Sequence, residues 1–304
     1  MSATAPGEFP LLIARLIADP ATLETQLDAA MDALDARNMT VAAAQMLDSG
    51  GEVLQIMTPG DDAAALREEI DRHFAPSDAI ISDQDFRVPD VFVSDMDSTM
   101  IGQECIDELA DFAGIRPQIA AITERAMRGE LEFESALRER VALLAGLDEA
   151  VIATCLAERI TPMAGARTLI ATLRHRGCKT VLVTGGFHHF ADSIAADLGF
   201  DRVVSNRLAV ERARLSGGLD GALMDAAGKE RVLREEMARV GAHAVSLATG
   251  DGANDVPMLR AATWGVACRG KAPARESANG WIERGDLTSV LKLLDIPERD
   301  WVGR

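Results

Sequence analysis

The run Val91-Phe92-Val93-Ser94 is apolar, rich in β-forming side chains, and ends in Asp95-Met96-Asp97-Ser98-Thr99. Such a segment reads as a short buried strand whose carboxyl end carries two acids separated by one residue. Residues two apart on a strand share a face, and beyond the strand end the chain can turn both carboxylates toward one centre. Paired acids in that place suit a division of labour, one as nucleophile and the other as general acid and base. In isolation an Asp-rich turn has the same composition, so the rest of the chain has to decide.

A second strand-like run, Ala244-Val245-Ser246-Leu247-Ala248, leads into Thr249-Gly250-Asp251-Gly252-Ala253-Asn254-Asp255. The glycines permit a tight turn and close backbone approach to a ligand. Asp251 and Asp255 are hard oxygen donors of the kind Mg²⁺ selects, and together with Asp95 they would crowd like charges that call for a cation. A third apolar run, Thr180-Val181-Leu182-Val183, ends in Thr184-Gly185-Gly186-Phe187, an edge that can offer a hydroxyl and backbone N–H groups to a phosphoryl oxygen. Lys229 is the only lysine between Lys179 and Lys271, and its position along the chain suits it to anchor a phosphate.

These segments resemble the haloacid dehalogenase superfamily of phosphotransferases and, within it, the phosphoserine phosphatases, over most of residues 90–296. The D-x-D-S-T and G-D-G-A-N-D-V-P-M motifs carry the superfamily likeness. Thr123-Glu124-Arg125-Ala126-Met127-Arg128-Gly129-Glu130-Leu131 and Ser135-Ala136-Leu137-Arg138-Glu139-Arg140-Val141 carry the narrower one. The resemblance implies hydrolysis of O-phospho-L-serine to L-serine and phosphate, the last step of L-serine biosynthesis. Asp95 would attack phosphorus, and Asp97 would protonate the departing seryl oxygen and then activate water. Mg²⁺ would be held by Asp95, Asp251 and the backbone carbonyl of Asp97, with Asp255 orienting a coordinated water. Thr184, Gly185 and Lys229 would hold the phosphoryl oxygens beside Asn254. Glu104 would receive the substrate ammonium, Arg140 its carboxylate, and Phe133 would cover it. Serine is usual in these enzymes where Thr184 stands; threonine keeps the hydroxyl but adds a methyl and stiffens χ1. Two alternatives are a phosphotransferase passing the phosphoryl group to a second alcohol, such as homoserine, and a non-catalytic amino-acid sensor. A pure binder needs no nucleophile, which counts against the last.

Physical chemistry supports these roles independently. Phosphoryl transfer spreads charge over three equatorial oxygens, so positioned cations and donors do most of the work. A group that must be protonated when the ester breaks, as Asp97 must, needs a pKa raised by burial and neighbouring negative charge. A free amino acid phosphate offers three charged handles, for which an arginine fork and a carboxylate are apt partners.

Charge marks a boundary. The whole chain carries −17, of which residues 1–90, with no lysine, five arginines and 17 acidic residues, contribute −12. That excess of acid argues against nucleic acid or an anionic membrane as partner. Residues 1–88 are expected to form a small α+β domain resembling the ACT-like regulatory domains, with the phosphatase domain over 89–304. Within the former, Pro10 to Ala18 reads as a strand, Ala21 to Ala36 as a helix, and Thr40–Leu47 with Gly51–Thr58 as a hairpin turning at Asp48-Ser49-Gly50. Asp62 to Phe74 reads as a helix with an acidic first turn, and Ala79–Ser82 as a possible last strand. Such a domain suits dimerisation or regulation.

Residues 105–160 show helical spacing (Ile106, Leu109, Ala110, Ala113; then Phe133, Leu137, Val141, Leu144), which suggests a helical cap inserted after the first catalytic loop as a lid. From 161 to 290 strand and helix patterns alternate, the sign of a doubly wound, Rossmann-like parallel sheet with ligands at its carboxyl edge. Four cysteines without C-x-x-C spacing fit reduced thiols in a cytoplasmic protein. The start of the chain lacks a basic signal-peptide region, and Leu11 to Ala18 is too short to span a bilayer. His188-His189 lack a third ligand and read as exposed residues at a helix start.

Overall fold

The computed structural model describes residues 10–47, 51–128 and 130–303. The turn expected at Asp48-Ser49-Gly50, the chain start and Gly129 lie outside these residues.

Residues 10–47 and 51–82 follow the expected order: β1 (Leu11–Ile17), α1 (Leu23–Ala36), β2 (Ala43–Met46), β3 (Leu54–Pro59), α2 (Ala63–Phe74) and β4 (Asp78–Ser82). β1 pairs antiparallel with both β3 and β4, and β2 with β3. The two helices bury Ala30, Leu34, Leu66, Ile70 and Phe74 against one face of these strands. The acid expected in the first turn of α2 is not there. Asp62 instead precedes the helix as its N-cap, accepting the Ala65 N–H at 2.9 Å, where a carboxylate satisfies an otherwise unbonded donor.

Seven further strands follow: β5 (Val91–Ser94), β6 (Lys179–Phe187), β7 (Arg202–Glu211), β8 (Arg214–Asp220), β9 (Ser246–Gly250), β10 (Trp264–Cys268) and β11 (Gly280–Ile282). Six of them run parallel in the order β11-β10-β9-β5-β6-β7. Val91 and Val93 of β5 face one core with Val181, Val183 and Ala248, while Phe92 faces the other with Leu182 and Leu247. Period-two alternation within near-continuous apolar runs thus fills both sides of the sheet. Helices α7 (Ala166–His175) and α8 (His188–Leu198) contribute to the Phe92 side, α9 (Ala226–Val240) and α10 (Val256–Ala261) to the other. His188 and His189 do open a helix, though each is half-buried rather than exposed.

The expectation of a purely parallel sheet needs correction at both ends. β8 folds back antiparallel on β7 as a hairpin. At the other end β4 pairs antiparallel with β11, matching Ile80 to Gly280 and Ala79 to Trp281. The N-terminal strands therefore extend the catalytic sheet, and one mixed sheet of 11 strands runs through the described residues. Closing the edge of β11 in this way removes a row of unpaired backbone groups and buries Trp281 completely.

Between β5 and α7 lie four helices, α3 (Cys105–Phe112), α4 (Arg116–Met127), α5 (Phe133–Ala142) and α6 (Ala150–Arg159). Leu109, Leu137 and Val141 pack together there as helical spacing suggested, joined by Ile152 and Cys155, but Phe133 is 40% exposed. Two short helices, α11 (Ala272–Ser277) and α12 (Ser289–Leu293), flank β11. No helix among the described residues is long and apolar enough to cross a membrane.

Candidate active site

β5 and β9 are neighbours, so their carboxyl ends deliver Asp95 and Asp251 to the same place. The Thr249 and Ser94 hydroxyls join the two strands at 2.8 Å, and the Asp95 N–H donates to the Thr249 carbonyl at 2.9 Å. After Asp97 the chain turns sharply. Ser98 sits at φ 55°, and the N–H groups of Thr99, Met100 and Ile101 all donate to the Met96 carbonyl. After β9, Asp255 closes a single 3₁₀ turn, and its Oδ2 accepts the N–H groups of Asp251 and Gly252 at 3.1 Å each. Gly250 is required by this packing, since a Cβ there would lie 2.4 Å from Asp255 Cγ.

One oxygen from each of Asp95, Asp251 and Asp255 lies within 4.8 Å of the others, and all three residues are buried. Burial, and after it the Asp255 charge, hold the Asp95 carboxyl well above its usual range despite the nearby lysine. Lys229, in the first turn of α9, places Nζ 2.6 Å from Asp95 Oδ1 and 2.7 Å from Asp255 Oδ1. The start of that helix is set by Asp225, which accepts the Gly228 N–H at 2.7 Å. Burial alone would lower the Lys229 pKa, but the two carboxylates more than reverse it. Three hard carboxylate donors sharing a confined volume are a donor set that fits a small divalent cation.

Asp97 is also enclosed. Its Oδ1 accepts the Cys105 N–H at 3.2 Å, and burial, with Glu104 adding negative charge, raises its carboxyl to about 7. Glu104, the N-cap residue of α3, is exposed on one side and accepts the Ser98 hydroxyl at 2.9 Å, and partial desolvation of its carboxyl raises its pKa. Burial likewise raises the Cys105 thiol, with Asp97 reinforcing it, so that thiol stays protonated.

A cavity of about 820 Å³ opens above these groups. Asp95, Asp97, Glu104, Phe133, Arg140, Thr184, Gly185, Asp251 and Asn254 line it, so nine residues singled out in the sequence meet in one space. The other two lie at its base, Lys229 through its bond to Asp95 and Asp255 through its bond to Lys229. Thr184 Oγ1 accepts the Gly186 N–H at 2.9 Å, which leaves the hydroxyl hydrogen available. The aromatic tip of Phe133 lies over Gly185, 3.7 Å from where a Cβ would stand. The Arg140 Nε donates to the Ala136 carbonyl at 3.3 Å. Among the described residues no carboxylate lies within ion-pair distance of that guanidinium, and burial lowers its pKa against the pull of Asp107 and Glu104.

Two participants escaped the sequence reading. Asn206 of β7 braces the glycine edge, its amide donating to the Gly185 carbonyl at 2.8 Å and its oxygen accepting the Met224 N–H at 2.7 Å. Lys271 lines the cavity and pairs with Asp251 at 3.0 Å. Neither belongs to a recognisable motif.

Residues 92–260 match the model of the haloacid dehalogenase-like hydrolases. The chain is 44% identical over 205 residues to a phosphoserine phosphatase of Albidiferax ferrireducens, an alignment covering 66% of this chain and 86% of that relative. It shares 44% identity over 216 residues with a Streptomyces coelicolor phosphoserine phosphatase, spanning about half (52%) of that longer protein and 70% of this chain. Among solved structures, an unliganded probable phosphoserine phosphatase from Vibrio cholerae superposes with a TM-score of 0.72 at 29% identity, covering 96% of this chain and 88% of the other. A phospho-aspartyl intermediate analogue of phosphoserine phosphatase superposes with a TM-score of 0.62 at 35% identity, over 68% and 99% of the two chains. The chain belongs to the haloacid dehalogenase-like hydrolase family and groups within it with the phosphoserine phosphatases.

Proposed function

We propose that this protein hydrolyses O-phospho-L-serine to L-serine and inorganic phosphate through an aspartyl phosphate on Asp95, the last step of L-serine biosynthesis. The observation that carries the substrate is the pairing of handles in one cavity: a half-buried Arg140 guanidinium with no ion-pair partner among the described residues for the carboxylate, and a Glu104 carboxylate for the ammonium.

Asp95 attacks phosphorus and the bond to the seryl oxygen breaks, while Asp97 gives that oxygen its proton. L-serine leaves, and Asp97, now ionised, takes a proton from the water that attacks the aspartyl phosphate; phosphate departs and Asp95 is regenerated. Lys229, the Thr184 hydroxyl, the Gly185 N–H and Asn254 bind the phosphoryl oxygens as their charge grows. Asp95, Asp251 and the Asp97 carbonyl, with Asp255 behind a water, would hold Mg²⁺, which offsets the repulsion between a carboxylate nucleophile and an anionic phosphate. Helices α3 to α6 act as the cap, and Phe133 and Arg140 of α5 exclude water from the bound ester.

Residues 1–88 serve as an ACT-like regulatory or dimerising unit on the phosphatase domain of 89–304. The four free, buried cysteines support a reducing, cytoplasmic setting. Feedback is checked by adding L-serine to the full chain and to a chain starting at residue 89; inhibition of neither rules it out.

Phosphate release from a panel of phosphorylated metabolites, with Mg²⁺ and with EDTA, tests the main reading. Mg²⁺-dependent preference for phosphoserine, with L-serine and phosphate in equal amounts, is expected. Turnover of other phosphomonoesters but not phosphoserine overturns the substrate, and phosphohomoserine formed on adding homoserine would mark a transferase.

A further inference from the structure

Lys271 is the N-cap residue of α11 and stands at the mouth of the cavity. Its backbone N–H donates to the Asp251 carbonyl at 2.8 Å, and its ammonium lies 3.0 Å from Asp251 Oδ2. The Lys271 side chain is 67% exposed whereas that of Asp251 is 8% exposed. The ammonium thus reaches from solvent down onto a buried carboxylate, unlike Lys229, which is enclosed with both of its partners.

The base of this lysine is held firmly. Arg67 of α2 donates to the carbonyls of Ala278 and Arg275 at 2.7 Å each, and Arg275 pairs with Asp71 at 2.5 Å. Both guanidinium groups stack on the Trp281 ring, at 4.8 Å and 3.8 Å from its centroid. A braced backbone with a solvent-exposed side chain suits a group that has to leave its partner and return.

Asp251 is one of the three carboxylates assigned above to the divalent cation, and an ammonium on its Oδ2 competes for the carboxylate a cation would use. We propose that Lys271 is a positioning residue, the resident counter-cation of Asp251, which neutralises the carboxylate in the metal-free protein and must swing off it when the cation enters. By competing for the same carboxylate and placing like charge beside the entering ion, it weakens cation affinity and keeps binding reversible. This rests on the cation-binding role of the Asp95, Asp251 and Asp255 cluster.

Calorimetric titration of Mg²⁺ into the metal-free full chain tests it with three proteins: wild type, Lys271→Gln and Lys271→Arg. Removing one unit charge this close to the site should tighten Mg²⁺ binding roughly tenfold in Lys271→Gln, whereas Lys271→Arg, which keeps the charge, should match wild type. The rise in Tm on adding saturating Mg²⁺ should also be larger for Lys271→Gln. Equal or weaker binding by Lys271→Gln overturns the proposal, as does equal tightening in both variants, because shape rather than charge would then be responsible. If wild type binds no Mg²⁺ at all, the cation site itself is wrong and the inference falls with it.

Discussion

Lys229 Nζ lies 2.6 Å from Asp95 Oδ1, and both side chains are closed off from solvent. The same ammonium reaches Asp255 Oδ1 at 2.7 Å, so one buried cation answers two buried anions. A carboxylate in this position is held in place before any ligand arrives, as the proposed nucleophile should be, with the proposed phosphate anchor already against it. Because the two carboxylates raise the Lys229 pKa above its ordinary value, the charge it contributes is fully present below pH 10.5 and is lost only in still stronger base.

Replacing Lys229 with alanine should therefore harm folding as well as turnover. It strands two buried carboxylates, a loss of about 3–5 kcal/mol in comparable buried pairs. The expected result is a kcat lower by at least about 100-fold together with a clearly lower urea midpoint. Stability loss should shrink toward acid pH, where the stranded carboxylates can protonate. Parallel denaturation curves for the variant and wild type at pH 5 and pH 8 would contradict that account.

In the proposed mechanism Asp97 should set the pH dependence. With its carboxyl raised to about 7, the protonated form needed for attack by Asp95 dominates below that pH and declines above it. The limb of kcat/KM on phosphoserine should thus fall about tenfold per pH unit on the alkaline side. A cation on the neighbouring carboxylates stabilises the ionised form, so the loaded enzyme should show the midpoint at or below 7. For folding the sign is the same: the native protein holds the Asp97 proton more tightly than the unfolded chain. This contribution is therefore most favourable below pH 3.8 and is lost as pH rises to about 7. A flat kcat/KM between pH 6 and pH 9 would remove Asp97 from the acid role.

Arg140 separates substrate recognition from chemistry. Its half-buried guanidinium lines the cavity without an ion-pair partner among the described residues, which leaves donors for a ligand carboxylate. Charge-assisted hydrogen bonds contribute about 1.5–3 kcal/mol, so Arg140→Ala should raise KM for phosphoserine roughly 10- to 100-fold. Hydrolysis of p-nitrophenyl phosphate, which lacks the carboxylate, should change by less than about threefold. Equal losses on both substrates would place Arg140 in the chemistry rather than in recognition.

Much of this site is readable in the sequence because its acids come straight after apolar strands. Asp95, Asp97, Asp251 and Asp255 each follow a run whose β character is plain, and parallel neighbours bring those ends together. Asn206 is different: it sits inside β7, and its role depends on a bulge between Thr184 and Phe187 that no local pattern announces. Lys271 looks like any surface lysine until α11 is folded against Asp251. The same limit hid the junction of β4 with β11. β11 is only three residues long, and pairing between segments 200 residues apart leaves no mark in either one.

That junction leads to the last prediction. Asp78, at the start of β4, is wholly buried and reaches across to the loop after β11. Its Oδ1 accepts the N–H groups of Glu283 and Arg284 at 2.8 and 2.7 Å, and its Oδ2 accepts the Gly285 N–H at 2.9 Å and the Ser289 hydroxyl at 2.6 Å. Without this carboxylate three backbone donors would lie near the interface with nothing to bond, a penalty of about 1–3 kcal/mol for each one that water cannot reach. Asp78→Ala should then lower the unfolding midpoint substantially, and Asp78→Asn, which keeps one acceptor, by less. Because the sheet is continuous, both halves should unfold in one transition in urea, by tryptophan fluorescence, to which the buried Trp264 and Trp281 both contribute, and by far-UV circular dichroism alike. Two separated transitions would mean that the N-terminal strands are an independent module resting against the catalytic sheet. Asp78→Ala would then shift only the transition that releases them.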